Sequence, residues 1–514
     1  MKILEQYSDR INGVFSFFDR IIIKGYITRF FTTNGAGSYA SQCNVLLKDF
    51  SAYAQGVTEE IKTQVKKKTE EQGRSLIYVK SPKESKEDIA IKELQDKPIE
   101  EGLICTISAV EECFSLEPKK NQLGHLELKR VRRKCLHYYF YLLDKKLGFM
   151  YVRLQSWFPF EIQIYINGRE MMKSVFAKHG ITYTMYDNSF SSISNIAKAQ
   201  RLADNMADNA KSLCSQFDKL ALTLNPYLKT LIQKNGEGYR WYVSQCEYAT
   251  DIMFKSRKDL EDIYPSLVDH AFYDFSCTDV FTFLGRKLNQ NFQGEAVTDY
   301  KKRPEGWRVK FKLNSNHLKF YDKSNCLRVE TTINNPSEFK IFKEVNRADG
   351  SHMKKWVPMG KSISNLYRYA QIGKECNSRL INSMEGIVPV RSVMEKLERV
   401  TGKKKVNGKT VTGLNVWNKD VYRQLQIISD GRFLIHGFRN RDVRDILFPE
   451  IKDKDKRSAK TSRLFKKLRD QNIIKKIPRS SRYQLTKSGR QITGGLIHIR
   501  EHMYPEAVAK VMTS

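Results

Sequence analysis

Asn316-His-Leu-Lys-Phe-Tyr-Asp-Lys-Ser-Asn-Cys-Leu-Arg-Val-Glu-Thr-Thr332 decides the fold of the middle of this chain. Leu318 and Phe320 alternate with Lys319, Tyr321 and Lys323, and Leu327 and Val329 alternate with Arg328 and Glu330. That is the period of two that a half-buried strand requires. A hairpin closed at Ser324-Asn325 sets Tyr321 opposite Arg328 and Lys319 opposite Glu330. The preceding stretch adds Arg308, Lys310 and Lys312 against Val309, Phe311 and Leu313. The expected sheet has an apolar back and a front of cations, one tyrosine and one glutamate. Asp322 has the parity of the apolar side, where a carboxylate needs a partner or a strand end.

Working outward, residues 1–120 read as an α/β block: a strand at 13–27, helices at 39–55 and 58–72, a strand at 75–79, a helix at 84–94 and a strand at 102–108. Residues 121–290 open with a hairpin, Cys135–Leu143 returning as Phe149–Gln155, and a third strand at 160–166. The stretch from Gly168 to about Lys287 reads as largely helical. Residues 291–400 hold the quoted strands and a helix at 364–382, and residues 401–414 are a basic linker. Residues 415–514 carry helical runs at 419–429, 440–448 and 458–470, with Arg432–Phe438 between the first two. A two-strand ribbon, 473–478 and 482–486, and a last helix from Lys487 follow. This is the order of a helix-turn-helix with a wing. The expected fold class is a mixed α+β (α/β) multidomain body with a C-terminal winged-helix domain.

Charge points to the partner. The chain has 514 residues and a formal net charge of +32, spread along its length. Lys452 to Arg482 alone holds 13 Lys/Arg and 3 Asp, enough cations to displace counterions from a phosphate backbone. In the helix at 458–470, Ala459, Leu464, Phe465 and Leu468 are expected to face the core, and Lys460, Arg463, Lys466 and Lys467 the solvent. Arg482, Arg286, Lys287, Arg308, Lys310, Lys319, Lys323 and Arg328 join them as candidate nucleic-acid contacts, with DNA favoured over RNA and oligomerisation open. No apolar run is long enough to span a membrane, Met1 to Asp19 shows no signal-peptide pattern, and the nine cysteines form no Cys-x-x-Cys pair. The expectation is a cytoplasmic protein that does not engage membranes and uses neither zinc nor ATP, since no phosphate-cradling glycine loop is present.

Two constellations could carry chemistry. On the quoted sheet, Tyr321 could attack a phosphodiester if nearby cations or a metal activated its phenol, with Glu330 and Asp322 able to hold that metal; phosphate docking and a plain solvated basic sheet are the alternatives. Elsewhere, Asp19 lies in an apolar strand with Arg20 expected on the other face. Glu247 and Asp251, four apart in an expected helix, share a face. Asp19, Glu247, Asp251 and Glu330 are the candidate ligands for Mg²⁺ or Mn²⁺ in metal-assisted strand cleavage or transfer. The aromatic hairpin His137–Tyr141, Tyr151 and Arg153 is better read as core than as a base-stacking surface, with His137 a structural hydrogen-bonder.

Residues 283–332 resemble rolling-circle replication initiators of phages and plasmids, through Tyr321-Asp-Lys323 followed by Arg328-Val-Glu330. That resemblance implies Tyr321 as the nicking tyrosine and Glu330 as a catalytic carboxylate, although the His-hydrophobe-His metal motif is missing. Phe18-Asp-Arg20, Cys135–Tyr141, Trp157-Phe-Pro-Phe160, Asn167-Gly168, Phe283-Leu-Gly-Arg-Lys287, Tyr321-Asp-Lys323 and Arg328–Thr332 together resemble a widespread family of uncharacterised bacterial winged-helix-containing proteins. They imply a bacterial mobile-element or plasmid setting. The function expected from all of this is nucleic-acid processing of the nickase, transposase or initiator type. The alternatives are a non-enzymatic DNA-binding regulator and a partner of a large structured RNA.

Overall fold

The structure, a computed structural model, describes residues 2–207, 210–273, 275–288, 292–303, 306–346, 352–384, 397–406, 408–430, 433, 437–498 and 500. Its strands to residue 333 are β1 (Ile11–Tyr26), β2 (Leu76–Tyr78), β3 (Gly102–Lys120), β4 (Leu126–Asp144), β5 (Gly148–Gln155), β6 (Ile162–Asn167), β7 (Tyr183–Tyr186), β8 (Ser189–Ile193), β9 (Arg240–Phe254), β10 (Ala296–Arg303), β11 (Gly306–Leu313), β12 (Asn316–Lys323) and β13 (Cys326–Ile333). Eleven of them form one sheet in the order β10-β11-β12-β13-β9-β1-β6-β5-β4-β3-β2, and β7 pairs with β8. The pairings are antiparallel except β2 with β3, which the helix Lys86–Asp96 connects as a crossover must. Strands from residues 1–120, 121–290 and 291–400 therefore share a single sheet.

β9 corrects the helical expectation for Tyr239–Asp251. Almost every position from Cys246 to Phe254 is buried, so the strand sits at the centre with both faces covered and loses the alternation that marks a half-exposed strand. Glu247 and Asp251 keep their common face, because four residues is an even step in a strand too. A second correction concerns residues 39–72. One helix, Phe50–Glu71, runs straight through Gly56, where a side chain would meet open space, and a shorter helix, Thr33–Gln42, precedes it.

The back of the sheet carries the main core. Phe18, Ile21, Ile23, Phe140, Val152, Ile164, Tyr248, Ile252, Phe320 and Val329 pack there with residues of the helices Phe50–Glu71, Tyr264–Tyr273 and Leu366–Ser383. Asn377 is buried at the centre of that contact. Its amide donates to the carbonyls of Tyr248 (3.1 Å) and Val329 (3.3 Å) and to Thr250 Oγ1 (3.1 Å), and its Oδ1 accepts from Thr331 (2.7 Å). On the front, a smaller core of Phe15, Phe17, Ala249 and Met253 meets Met172, Phe176 and Phe190. Another, with Ile107, Tyr139 and Tyr141, meets Ala90 at the far end.

The C-terminal residues have a core of their own, including Leu397, Leu414, Leu425, Phe438, Val443, Phe465, Leu468, Ile474, Leu485 and Leu496. The stretch 401–414, expected as a linker, holds two paired strands, Lys404–Val406 and Lys409–Val411. Helices Lys419–Ile428, Asn440–Leu447 and Lys454–Asp470 are followed by the paired strands Ile474–Lys476 and Tyr483–Leu485 and the helix Lys487–His498. Phe438 bridges to Tyr483. Within Lys454–Asp470, Phe465 and Leu468 are buried and Leu464 is half-buried, but Ala459 is exposed and Thr461 takes the inward place expected for it. Of the stretch Arg432–Phe438, residues 432 and 434–436 lie outside the described residues.

Two consequences are measurable. Asn377→Ala leaves several buried groups unpaired and should cost about 2 kcal/mol or more, read as a lower urea midpoint. His137 is 1% exposed, its Nδ1 lies 3.0 Å from Cys135 O, and burial together with Arg153 pulls its pKa down to about 4 from 6.5. A lowered folded-state pKa gives stability that is present above pH 6.5 and lost as the pH falls. His137 alone should remove about 3 kcal/mol by pH 4, and His137→Gln should flatten that part of the urea-stability profile.

Candidate functional site

The site begins with an extra residue in β1. Phe18 pairs with Tyr248 and Arg20 with Glu247, so Asp19 is unmatched and forms a bulge. Phe18 and Ile21 both reach the back core although they are an odd three positions apart, a spacing that needs the inserted residue. Asp19 and Arg20 consequently share the front face, against the expectation that they point apart. Arg20 still does not pair with Asp19. Its Nη2 donates to Glu247 Oε1 at 2.6 Å, and Glu247 also accepts from Thr332 Oγ1 at 3.0 Å.

Asp19 meets two other arginines. Asn167, at the end of β6, caps the helix Gly168–Lys178 by accepting from the amides of Arg169 and Glu170. Gly168 fits beneath the bulge, where a Cβ would come within 1.6 Å of Phe18 O. The turn delivers Arg169, whose Nη1 is 3.2 Å from Asp19 Oδ1. The second arginine is Arg328, with Nη2 2.6 Å from the same oxygen.

Arg328 is 0% exposed and gathers three carboxylates. Besides Asp19, its Nη1 reaches both oxygens of Asp251 (2.9 and 3.1 Å), and its Nε donates to Glu330 Oε1 (2.6 Å). The hairpin register is the one read from the sequence, Tyr321 opposite Arg328 and Lys319 opposite Glu330. Lys319 Nζ lies 2.5 Å from Glu330 Oε2. Tyr321 donates to Glu330 Oε1 (2.9 Å) and accepts from Asn188 Nδ2 (2.7 Å) on the β7–β8 turn. Lys323 is tied to Asp187 of that turn at 2.6 Å, and the Phe190 amide donates to Asp251 Oδ2 at 2.8 Å.

The electrostatics follow from burial. Desolvation pushes the Asp251 carboxyl up to about 6 against the pull of Arg328. For Glu330 the same penalty is outweighed by Arg328 and Lys319, which hold it below the usual carboxylate range. Burial, then Glu330, raises the Tyr321 phenol well above 10, and the ring is 4% exposed. A nucleophile needs the opposite shift and an open path.

The two constellations read separately from the sequence thus meet around one guanidinium. Asp19, Asp251 and Glu330 converge, and Arg328 holds the central place that a Mg²⁺ or Mn²⁺ ion would take. Among the described residues no group of three His, Cys, Asp or Glu could hold a metal ion, so the arrangement does not fit the expected divalent cation. Glu247 is engaged by Arg20, and Asp322 is half-buried with Oδ1 lacking a hydrogen-bond partner and its carboxyl pushed up by burial. Arg328, Lys319 and Lys323, expected as phosphate contacts, are instead internal ion-pair partners, and Arg286 is paired with Glu338 at 2.6 Å. Lys287 is exposed.

Cations without such partners among the described residues lie beside the cluster. Arg308 pairs in register with Tyr321, and Lys310 with Lys319. Arg308 Nε and Arg20 Nε are buried with no hydrogen-bond partner. Burial and the neighbouring Arg308, Lys319 and Lys312 depress Lys310, and burial with Lys310 and Lys319 takes His317 down to about 3. On the C-terminal unit, Lys456, Lys460, Arg463 and Lys466 are exposed along one helix, with Lys460 Nζ 3.5 Å from Glu450 Oε1; Lys467 is half-exposed, and Lys475, Lys476 and Arg479 are exposed on the hairpin after it. Sequence reading missed Arg169, Asn188 and Asp187. Asn167-Gly168, a cap followed by a close approach, was the available signal for the first.

No protein-family model matches the chain, and no curated protein matches it. Among solved structures it shows a likeness to the rolling-circle replication initiator protein from Geobacillus stearothermophilus, 10% identical over 62% of this chain and 74% of that one, with a TM-score of 0.19. A score that low defines no common fold. No helix among the described residues is long and apolar enough to cross a membrane.

Arg328→Met should be strongly destabilising, by about 3–5 kcal/mol at neutral pH, because it leaves three carboxylates buried without their shared cation. The dependence of stability on pH should also steepen. In the wild type the raised Asp251 contributes stability present at low pH and lost as pH rises through about 6, whereas the depressed Glu330 acts only in the acid range. In the variant the raised carboxyls contribute stability present at low pH and lost as pH rises. Urea unfolding at pH 5 and pH 8 compares the two, and a variant whose stability falls with rising pH no more than the wild type's would contradict the assignment.

Proposed function

We propose that this chain is a nucleic-acid-binding protein whose C-terminal unit acts as a winged helix on duplex DNA. The carrying observation is the row Lys456, Lys460, Arg463 and Lys466, exposed along the helix Lys454–Asp470 and continued by Arg479 at the turn of the hairpin that follows. In this reading Lys454–Asp470 is the recognition helix and the strands 474–476 and 483–485 are the wing. The helix Asn440–Leu447 supports it, through Asn440 Nδ2 donating to Ser458 O and Ser462 Oγ at 2.9 Å each. DNA is favoured over RNA because the B-form major groove admits a helix, whereas that of A-form RNA is deep and narrow.

The body adds a second charged surface. Arg308 and Lys310 form a cationic front beside the ion cluster, with the neutral His317 next to them, suited to docking a phosphate backbone. Strand cleavage is not the activity this geometry favours. Tyr321 is buried with a raised pKa, and the carboxylates that would hold a metal already enclose Arg328.

Anisotropy with a labelled duplex tests the reading. Lys460→Glu with Arg463→Glu should weaken duplex binding on the order of 100-fold and lower the salt slope by about 2, as two lost phosphate contacts require. Unchanged binding would refute it. Supercoiled plasmid with Mg²⁺ or Mn²⁺ should remain intact. Nicking that disappears in Tyr321→Phe would restore the catalytic alternative.

A further inference from the structure

Where β1 ends, a cavity of about 370 Å³ is lined by Tyr26, Phe31 and Tyr242, with Arg130, Lys361 and Glu161 around them. The Tyr26 ring lies 5.5 Å from Phe31 and 5.8 Å from Tyr242. Arg130 stands over Phe31 at 5.4 Å and Lys361 over Tyr242 at 5.9 Å. Both cations are exposed, and neither has a carboxylate partner among the described residues. Phe31 is 62% exposed, a large apolar ring left to water. Glu161 accepts from Lys24 at 2.7 Å.

We propose that this cavity receives one unpaired nucleobase of a single strand, with the flanking phosphates on Arg130 and Lys361. The volume lies within the roughly 300–1,000 Å³ of small-ligand pockets. Aromatic walls stack on the π-face that every base presents, and rim cations answer the backbone charge. Lipid chains need no such cations, and free phosphate needs no rings. Glu161 supplies an acceptor suited to an exocyclic amine, which favours cytosine, adenine or guanine over thymine. The inference rests on the nucleic-acid reading but not on the winged helix, since bases in a duplex are stacked out of reach.

The test is anisotropy with a labelled single strand of about twelve nucleotides, an abasic strand of equal length, and a duplex. Arg130→Glu with Lys361→Glu, and separately Tyr242→Ala, should each weaken single-strand binding about tenfold or more while leaving duplex binding unchanged. The abasic strand should bind the wild type about as weakly as the intact strand binds Tyr242→Ala, and oligo-dC should outbind oligo-dT. Circular dichroism checks the fold, and the exposed charge-reversal pair keeps the test open if Tyr242→Ala unfolds. Single-strand binding unaffected by both variants, or abasic binding as tight as the intact strand, would overturn the proposal. Duplex binding unaffected by Lys460→Glu with Arg463→Glu would refute the winged-helix reading alone.

Discussion

The buried guanidinium of Arg328 is the constraint around which the body is arranged. It joins β13 to β9 through Asp251 and reaches β1 through Asp19, so three adjacent central strands are held in one register by one cation. A one-residue slip in any of them would send its charge into the apolar back, where an isolated ion is very costly. The β1 bulge is part of the same solution, since it turns Asp19 to the front while Phe18 and Ile21 both stay in the core. Buried ion pairs are weak sources of net stability. What Arg328 supplies here is specification of register in the middle of an eleven-stranded sheet, whose length offers many alternative pairings.

The same cluster sorts the cations of the front face by role. Lys319, Lys323, Arg169 and Arg328 face carboxylates and neutralise them. Arg308 and Lys310 pair in register with Tyr321 and Lys319 and gain no comparable partner among the described residues. The excess positive charge therefore lies next to the ion cluster, on the outer strands, and again on the C-terminal helix and hairpin. Cations that stay unneutralised after folding are the ones available to a polyanion.

Much of this was legible in the sequence, for identifiable reasons. The β12–β13 register could be read because its two faces differ chemically and its turn is short. The C-terminal order of helices and hairpin could be read because each element is amphipathic and bounded by turn or capping residues. β9 could not be read as a strand, because a central strand with both faces covered shows no alternation. The bulge at Asp19 could not be read either, since one inserted residue leaves no local signature. Without it Asp19 and Arg20 are assigned to opposite faces, and the convergence of Asp19, Asp251 and Glu330 stays hidden. Arg169 and the β7–β8 turn reach the cluster from far along the chain, which periodicity cannot register.

That convergence bears on mechanism. Three carboxylates and a tyrosine close together resemble a catalytic inventory when only residue types are compared. Their environment distinguishes the cases: a metal site leaves its acids facing an open position, whereas these acids face a guanidinium that is itself sealed from solvent. Tyr321 adds to the seal, donating to Glu330 and receiving from Asn188, so its oxygen is engaged on both sides. For chemistry to start there, Arg328 would have to leave three charge partners at once, exposing Asp19, Asp251 and Glu330 to one another's repulsion. The cost of that step is what makes the cluster a structural keystone, and under the proposed function nucleic-acid contact falls to the unneutralised cations around it.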